Sequence, residues 1–222
     1  GLVGIGAEIT GVQSTIAEIY SDSSPLARNG SQFDVLLEDE HRLAFGSLDI
    51  HVLHVPGHTP GCVAYLIGDA LFAGDTLFMP DSGTARCDFP GGDACSLYRS
   101  IRRLLRLPDA TRVFVCHDYQ PNGRSLEYVA SIKTHRDHNV HVNEPGSEAS
   151  FVTMRCQRDA GLGPPKLILP SLQVNVRGGT LPRHPITGEP ILYLPVNKPG
   201  AAGTRDIQDI FPGQHASADL PD

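Results

Sequence analysis

Apolar and polar positions change period along these 222 residues and divide the chain into a strand-rich front and a helix-rich back. Leu2-Val-Gly-Ile-Gly6 reads as a strand already under way, so the chain looks cut at its front. Thr10-Gly-Val-Gln13 has capping-box spacing, and Val12, Ile16, Ile19 and Tyr20 recur at helical intervals, which predicts one amphipathic helix. A turn-rich passage over 21–32 leads to strands over 33–37, 42–45 and 48–55, expected to run as successive antiparallel neighbours. Two short apolar runs, 62–67 and 70–73, flank Gly68-Asp69, a tight-hairpin signal, so Asp75 is expected where the second run ends.

From Asp93 the period lengthens: Leu97, Ile101, Leu104 and Leu105 form an apolar stripe, with Arg99, Arg102, Arg103 and Arg106 on or beside the solvated side. That predicts a helix of about three turns. Residues 112–116 read as a buried strand and 125–136 as a second helix capped by Ser125. A short helix is expected beyond Gly146, then Pro164-Pro165 and the apolar Leu167-Ile-Leu169. Residues 1–197 are read as one domain. The polar, patternless 198–222 is read as a disordered tail.

Charge and cysteine usage narrow the classes. A net charge of −7 with dispersed Lys and Arg argues against nucleic acid, and no apolar run approaches the roughly 20 residues of a membrane span. Cys62, Cys87, Cys95, Cys116 and Cys156 are an odd set without Cys-x-x-Cys spacing, which suits reduced thiols in the cytoplasm. Cys62, Cys87 and Cys116 are expected to pack as small hydrophobes.

His58, Asp75 and His117 each stand at a predicted strand end, and strands of a twisted sheet present such ends along one rim. Pro56-Gly57 and Pro60-Gly61 tighten the loop around His58, and Gly74 lets the backbone pass close to a bound ion. An imidazole and a carboxylate on rigid loops suit a divalent first-row metal. Singly, each is a loop histidine or a turn aspartate; the order and flanks make the case.

Residues 55–62, Phe72-Ala-Gly-Asp-Thr-Leu-Phe78 and Val115-Cys-His-Asp-Tyr119 resemble the metallo-β-lactamase-fold superfamily, which implies an α/β fold, an αββα sandwich, here N-terminally truncated. Within it, Met79-Pro-Asp-Ser-Gly-Thr-Ala-Arg-Cys-Asp-Phe-Pro-Gly-Gly-Asp-Ala94 resembles the persulfide dioxygenases, and the likeness extends through 97–103, Met154-Arg155, Arg158-Asp159 and 169–175. That resemblance implies a mononuclear non-haem Fe(II) site that oxidises glutathione persulfide with O2 to sulfite and glutathione, and a homodimer. It makes His58 and Asp75 metal ligands, His117 a residue beside the metal and Tyr119 a residue facing substrate. Arg86 matches an arginine near the glutathione site, against the alternative that it pairs with Asp88.

The upstream His-x-His-x-Asp-His cluster of the superfamily does not occur in the 222 residues. His135-Arg-Asp-His138 and His141 imitate part of it, at a predicted helix end, and read as solvated surface histidines. Three functions follow: an iron persulfide dioxygenase represented by an incomplete chain; a dinuclear zinc thioester hydrolase of the glyoxalase II kind; and a remnant that binds without turnover. Loss of the front strands is also expected to expose apolar sheet and an unpaired edge.

Overall fold

The computed structural model describes residues 1–20, 26–143 and 146–194, so the tail 198–222 lies outside the described residues. Strand β1 (Gly4–Gly6), helix α1 (Ile9–Tyr20) and strand β2 (Val35–Leu37) form a crossover unit, with β1 and β2 parallel in a two-stranded sheet of their own. The expected pairing of 33–37 with 42–45 is therefore corrected. A helix now separates β1 from β2, and only a crossover of that length lets two successive strands run parallel.

The second sheet has six strands in the order β3 (Arg42–Phe45), β4 (Leu48–His54), β5 (Val63–Ile67), β6 (Ala70–Phe72), β7 (Arg112–Phe114) and β8 (Val129–Ser131). All neighbours are antiparallel except β6 and β7, which are joined through helix α2 (Ala94–Leu104). Asp93 caps α2 by accepting from the Ser96 amide, and Leu97, Ile101 and Leu104 bury the predicted stripe. Leu53, Val55, Leu71, Ala73 and Val113 on one face of the sheet meet that stripe, together with Ile132 and Phe151. The hydrophobic gain of this layer, about 25 cal/mol per Å² of apolar area, is what holds the sheet to its helices.

On the opposite face Val52, Tyr65, Phe72, Phe114 and Val129 fall in one cross-strand row. Phe72 and Phe114 stack at 5.2 Å, while Phe72 and Val129 remain substantially exposed.

Three further expectations change. Residues 124–128 are not helical; β8 intervenes, and α3 (Ile132–His138) begins at Ser131, whose hydroxyl accepts from the Thr134 amide. Ser125 lacks an apolar periodic run immediately after it, whereas Ser131 precedes Ile132, which is fully buried. The strand predicted over 112–116 shortens to β7, where Val113 alone is fully buried, and Cys116 is exposed rather than packed. The helix expected after Gly146 is α4 (Glu148–Ala160), followed by α5 (Ile168–Asn175). No described helix is long and apolar enough to cross a membrane.

The surface-histidine expectation also fails in part: His138 is exposed, but His135 is fully buried in α3. Asn139 Nδ2 lies 3.3 Å from His135 Nδ1, and Nε2 has no hydrogen-bond partner among the described residues. Burial pushes the His135 imidazole down to about 4 from its ordinary 6.5. The unfolded histidine therefore binds a proton that the folded one refuses. Its contribution is present above pH 6.5 and is lost as pH falls toward 4, reaching about 3 kcal/mol in the limit. Replacing His135 by Phe is expected to flatten urea-measured stability across that window; an unchanged acid slope would refute the assignment.

Candidate metal centre

Because β4, β6 and β7 run in the same direction, their carboxyl ends share one rim, and His58, Asp75 and His117 follow those ends. The Asp75 carboxylate lies between the two imidazoles. His58 Nε2 is 3.7 Å from Asp75 Oδ2, and His117 Nε2 is 3.2 Å from Asp75 Oδ1. The first distance is too long for a hydrogen bond. The second is short enough, yet Asp75 Oδ1 is buried without a hydrogen-bond partner among the described residues, so the approach lacks hydrogen-bond alignment and is proximity alone. An orphaned carboxylate oxygen between imidazole nitrogens is a cation-seeking arrangement.

The tautomer of His58 follows from its other nitrogen. Nδ1 lies 2.7 Å from the Arg86 carbonyl oxygen, which can only accept, so Nδ1 carries a proton and, in the neutral ring that a metal would bind, Nε2 presents its lone pair toward Asp75. His58 is only 14% exposed, against 57% for His117. Phe89 packs against the His58 ring at 5.0 Å, and Phe78 lies 6.2 Å from the His117 ring and 5.3 Å from Tyr119. These two phenylalanines stand inside the quoted motifs but carried no sequence signal of a role; their aromatic walls fix ring orientation.

The loop over 117–127 is held by ion pairs. Asp118, with its side chain 2% exposed, accepts from both terminal nitrogens of Arg124 and from the amides of Gln120 and Glu127. The Arg124 guanidinium foremost, then those amides, hold the Asp118 carboxyl far below the usual range. Arg124 also grips Asp81, tying the loop of His117 and Tyr119 to the passage after Asp75. Tyr119 is raised above the ordinary phenol range by desolvation first and by the Asp75 charge second, so its hydroxyl is a proton donor at neutral pH.

Of the two readings for Arg86, the pairing with Asp88 is the one present. Nε and Nη2 each meet an Asp88 oxygen at 2.6 Å, and Nη1 donates to the Gly163 carbonyl. A substrate carboxylate would have to exchange with Asp88. Among the described residues no three His, Cys, Asp or Glu side chains gather as a metal cluster, and His135, His138 and His141 form none. The donors fit a metal as an incomplete shell: His58 Nε2 and Asp75 as two ligands, with His117 adjacent.

A family profile described as the metallo-beta-lactamase superfamily matches residues 9–117. A probable metallo-hydrolase of Burkholderia pseudomallei is 49% identical over 207 residues, covering 89% of this chain and 70% of that protein. Glyoxylase B2 of Dictyostelium discoideum is 45% identical over 88% of this chain and 66% of its own length. The crystal structure of ETHE1 from Myxococcus xanthus superposes with a TM-score of 0.59 at 33% identity, covering 72% of this chain and 65% of that one. The chain thus spans about two thirds of these relatives. With the strand-end histidines and aspartate on one rim of an α/β sandwich, the chain belongs to the metallo-β-lactamase superfamily.

Proposed function

We propose that the protein to which these residues belong is a glutathione-dependent persulfide dioxygenase with a single Fe(II). The supporting observation is that the passage 79–94, which resembles those enzymes, lies directly against the ligand pair: its Arg86 carbonyl holds His58 Nδ1 at 2.7 Å. The net reaction takes glutathione persulfide, O2 and water to glutathione and sulfite. Bound iron would supply an open coordination face for the persulfide sulfur and O2.

The chain's own residues do the rest of the work. Asp75 and His58 would hold the ion, and Phe89 shields the His58 ring from water. Tyr119, protonated and partly open on the same rim, donates toward the sulfur end of the substrate. Glutathione persulfide and O2 are the proposed partners, in the cytoplasm, with a homodimer as the assembly.

Tyr119→Phe is expected to raise KM about fivefold with kcat little changed, the effect of losing one hydrogen bond of about 1 kcal/mol. Oxygen-electrode kinetics with glutathione persulfide measure it, and an unchanged KM removes Tyr119 from the substrate face.

A second reading has its own support. Each Asp75 oxygen faces a different imidazole, an arrangement that also suits a carboxylate shared by two ions, and Glyoxylase B2 is among the relatives. A dinuclear zinc thioester hydrolase would use it. Metal analysis with oxygen uptake separates the two: one iron with uptake supports the dioxygenase, and two zinc ions without uptake reject it.

A further inference from the structure

The buried Arg155–Asp159 pair on α4 lies behind the site. Arg155 is 3% and Asp159 4% exposed. Asp159 Oδ1 accepts from Arg155 Nε at 2.9 Å, and Arg155 Nη1 donates to the Thr84 carbonyl at 3.2 Å. Asp159 Oδ2 accepts from the Cys87 amide at 2.9 Å and stands 3.4 Å from the Cys87 thiol. That thiol is pushed up to about 12, by burial first and by the Asp159 charge second, so it remains an S–H donor rather than a nucleophile.

The Cys87 N–H and the Arg86 C=O belong to one peptide group. Asp159 therefore takes the hydrogen from one side of the peptide whose oxygen, on the other side, accepts the proton of His58 Nδ1 at 2.7 Å. The order is imidazole, carbonyl, amide, carboxylate. A carboxylate on the N–H polarises the amide and makes its oxygen a stronger acceptor, and hydrogen bonds in such a chain strengthen one another. A carboxylate hydrogen-bonded directly to a metal-binding histidine fixes tautomer and raises basicity; here a peptide is interposed.

We propose that Asp159 is a positioning residue that acts through the Arg86–Cys87 peptide to hold His58 in its Nδ1–H form, with Nε2 bare toward Asp75. Arg155 anchors that carboxylate through its guanidinium. Thr84 and Cys87 are thereby gripped at both ends of the short segment between them. The functional meaning rests on His58 as a metal ligand; the test does not, because it reads the metal-free protein.

Nitrogen-15 spectra of the full chain report which His58 nitrogen carries the proton. The parent is expected to show Nδ1–H and a strongly downfield Cys87 amide proton. A proton on Nε2, or a Cys87 amide at an ordinary position, overturns the proposal without any variant. In Asp159→Asn, and in Arg155→Met/Asp159→Leu, which removes the buried charges together, the tautomer ratio should move about fivefold toward Nε2–H, the factor of one typical hydrogen bond. A folded variant with an unchanged ratio overturns it. Phe151→Leu, on the same helix but in the apolar core, should lower Tm and leave the His58 pattern unmoved; a shift equal to that of Asp159→Asn would reduce the role of Asp159 to packing.

Discussion

Alanine at Gly57 is expected to destabilise the fold by about 4 kcal/mol, from overpacking of about 1–3 kcal/mol and backbone strain of similar size. Gly57 has a φ of +140°, where side chains are rarely accommodated. An added Cβ would stand 2.3 Å from the Cα of Leu97 and 2.4 Å from its nitrogen. Those are backbone atoms of α2, whose Leu97 is fully buried, so the helix cannot step aside without opening the core. The loop is fixed to α2 from both sides as well: the Asp93 amide donates to the Gly57 carbonyl, and the Ser100 hydroxyl donates to the Pro56 carbonyl. His58 is the next residue, so the same clash that costs stability displaces a proposed metal ligand. Urea denaturation of the variant should show a lower midpoint with an unchanged slope. A loss under 1 kcal/mol would mean that α2 yields more readily than its packing implies.

Much of this rim was legible in the chain because its signals are local. Gly68-Asp69 between two apolar runs specifies a hairpin, and the structure pairs Ile67 with Ala70 across it. Asp93 before the Leu97, Ile101 and Leu104 stripe specifies a capped helix, and its side chain caps it. What local pattern could not convey was pairing at a distance. The strand over 33–37 has the same composition whether it joins β3 or β1, and only the α1 crossover decides. The misplacement of the helix start at Ser125 has a related cause, since a serine is a cap only if an apolar face follows it into the core. His135 reads as a surface residue in a polar run, yet it faces Asn139 and the interior. Asp159 stands inside the stretch of resemblance, but nothing local marks it for a role, because its partner Cys87 lies 72 positions away.

The Arg155–Asp159 pair supplies the second large effect, and its sign depends on how many charges are removed. Arg155→Met alone leaves the Asp159 carboxylate buried without a counter-charge, and breaking a buried pair in this way costs about 3–5 kcal/mol. Arg155→Met/Asp159→Leu removes both charges and leaves the Cys87 amide without its acceptor, a loss of about 1–3 kcal/mol. The double variant should therefore be more stable than the single one, and urea denaturation of the two at pH 7 decides the matter. If the single variant is as stable as the double, the Asp159 carboxylate is reached by water once Arg155 is gone, and the pair is not the sealed anchor that the Arg86–Cys87 peptide behind His58 requires.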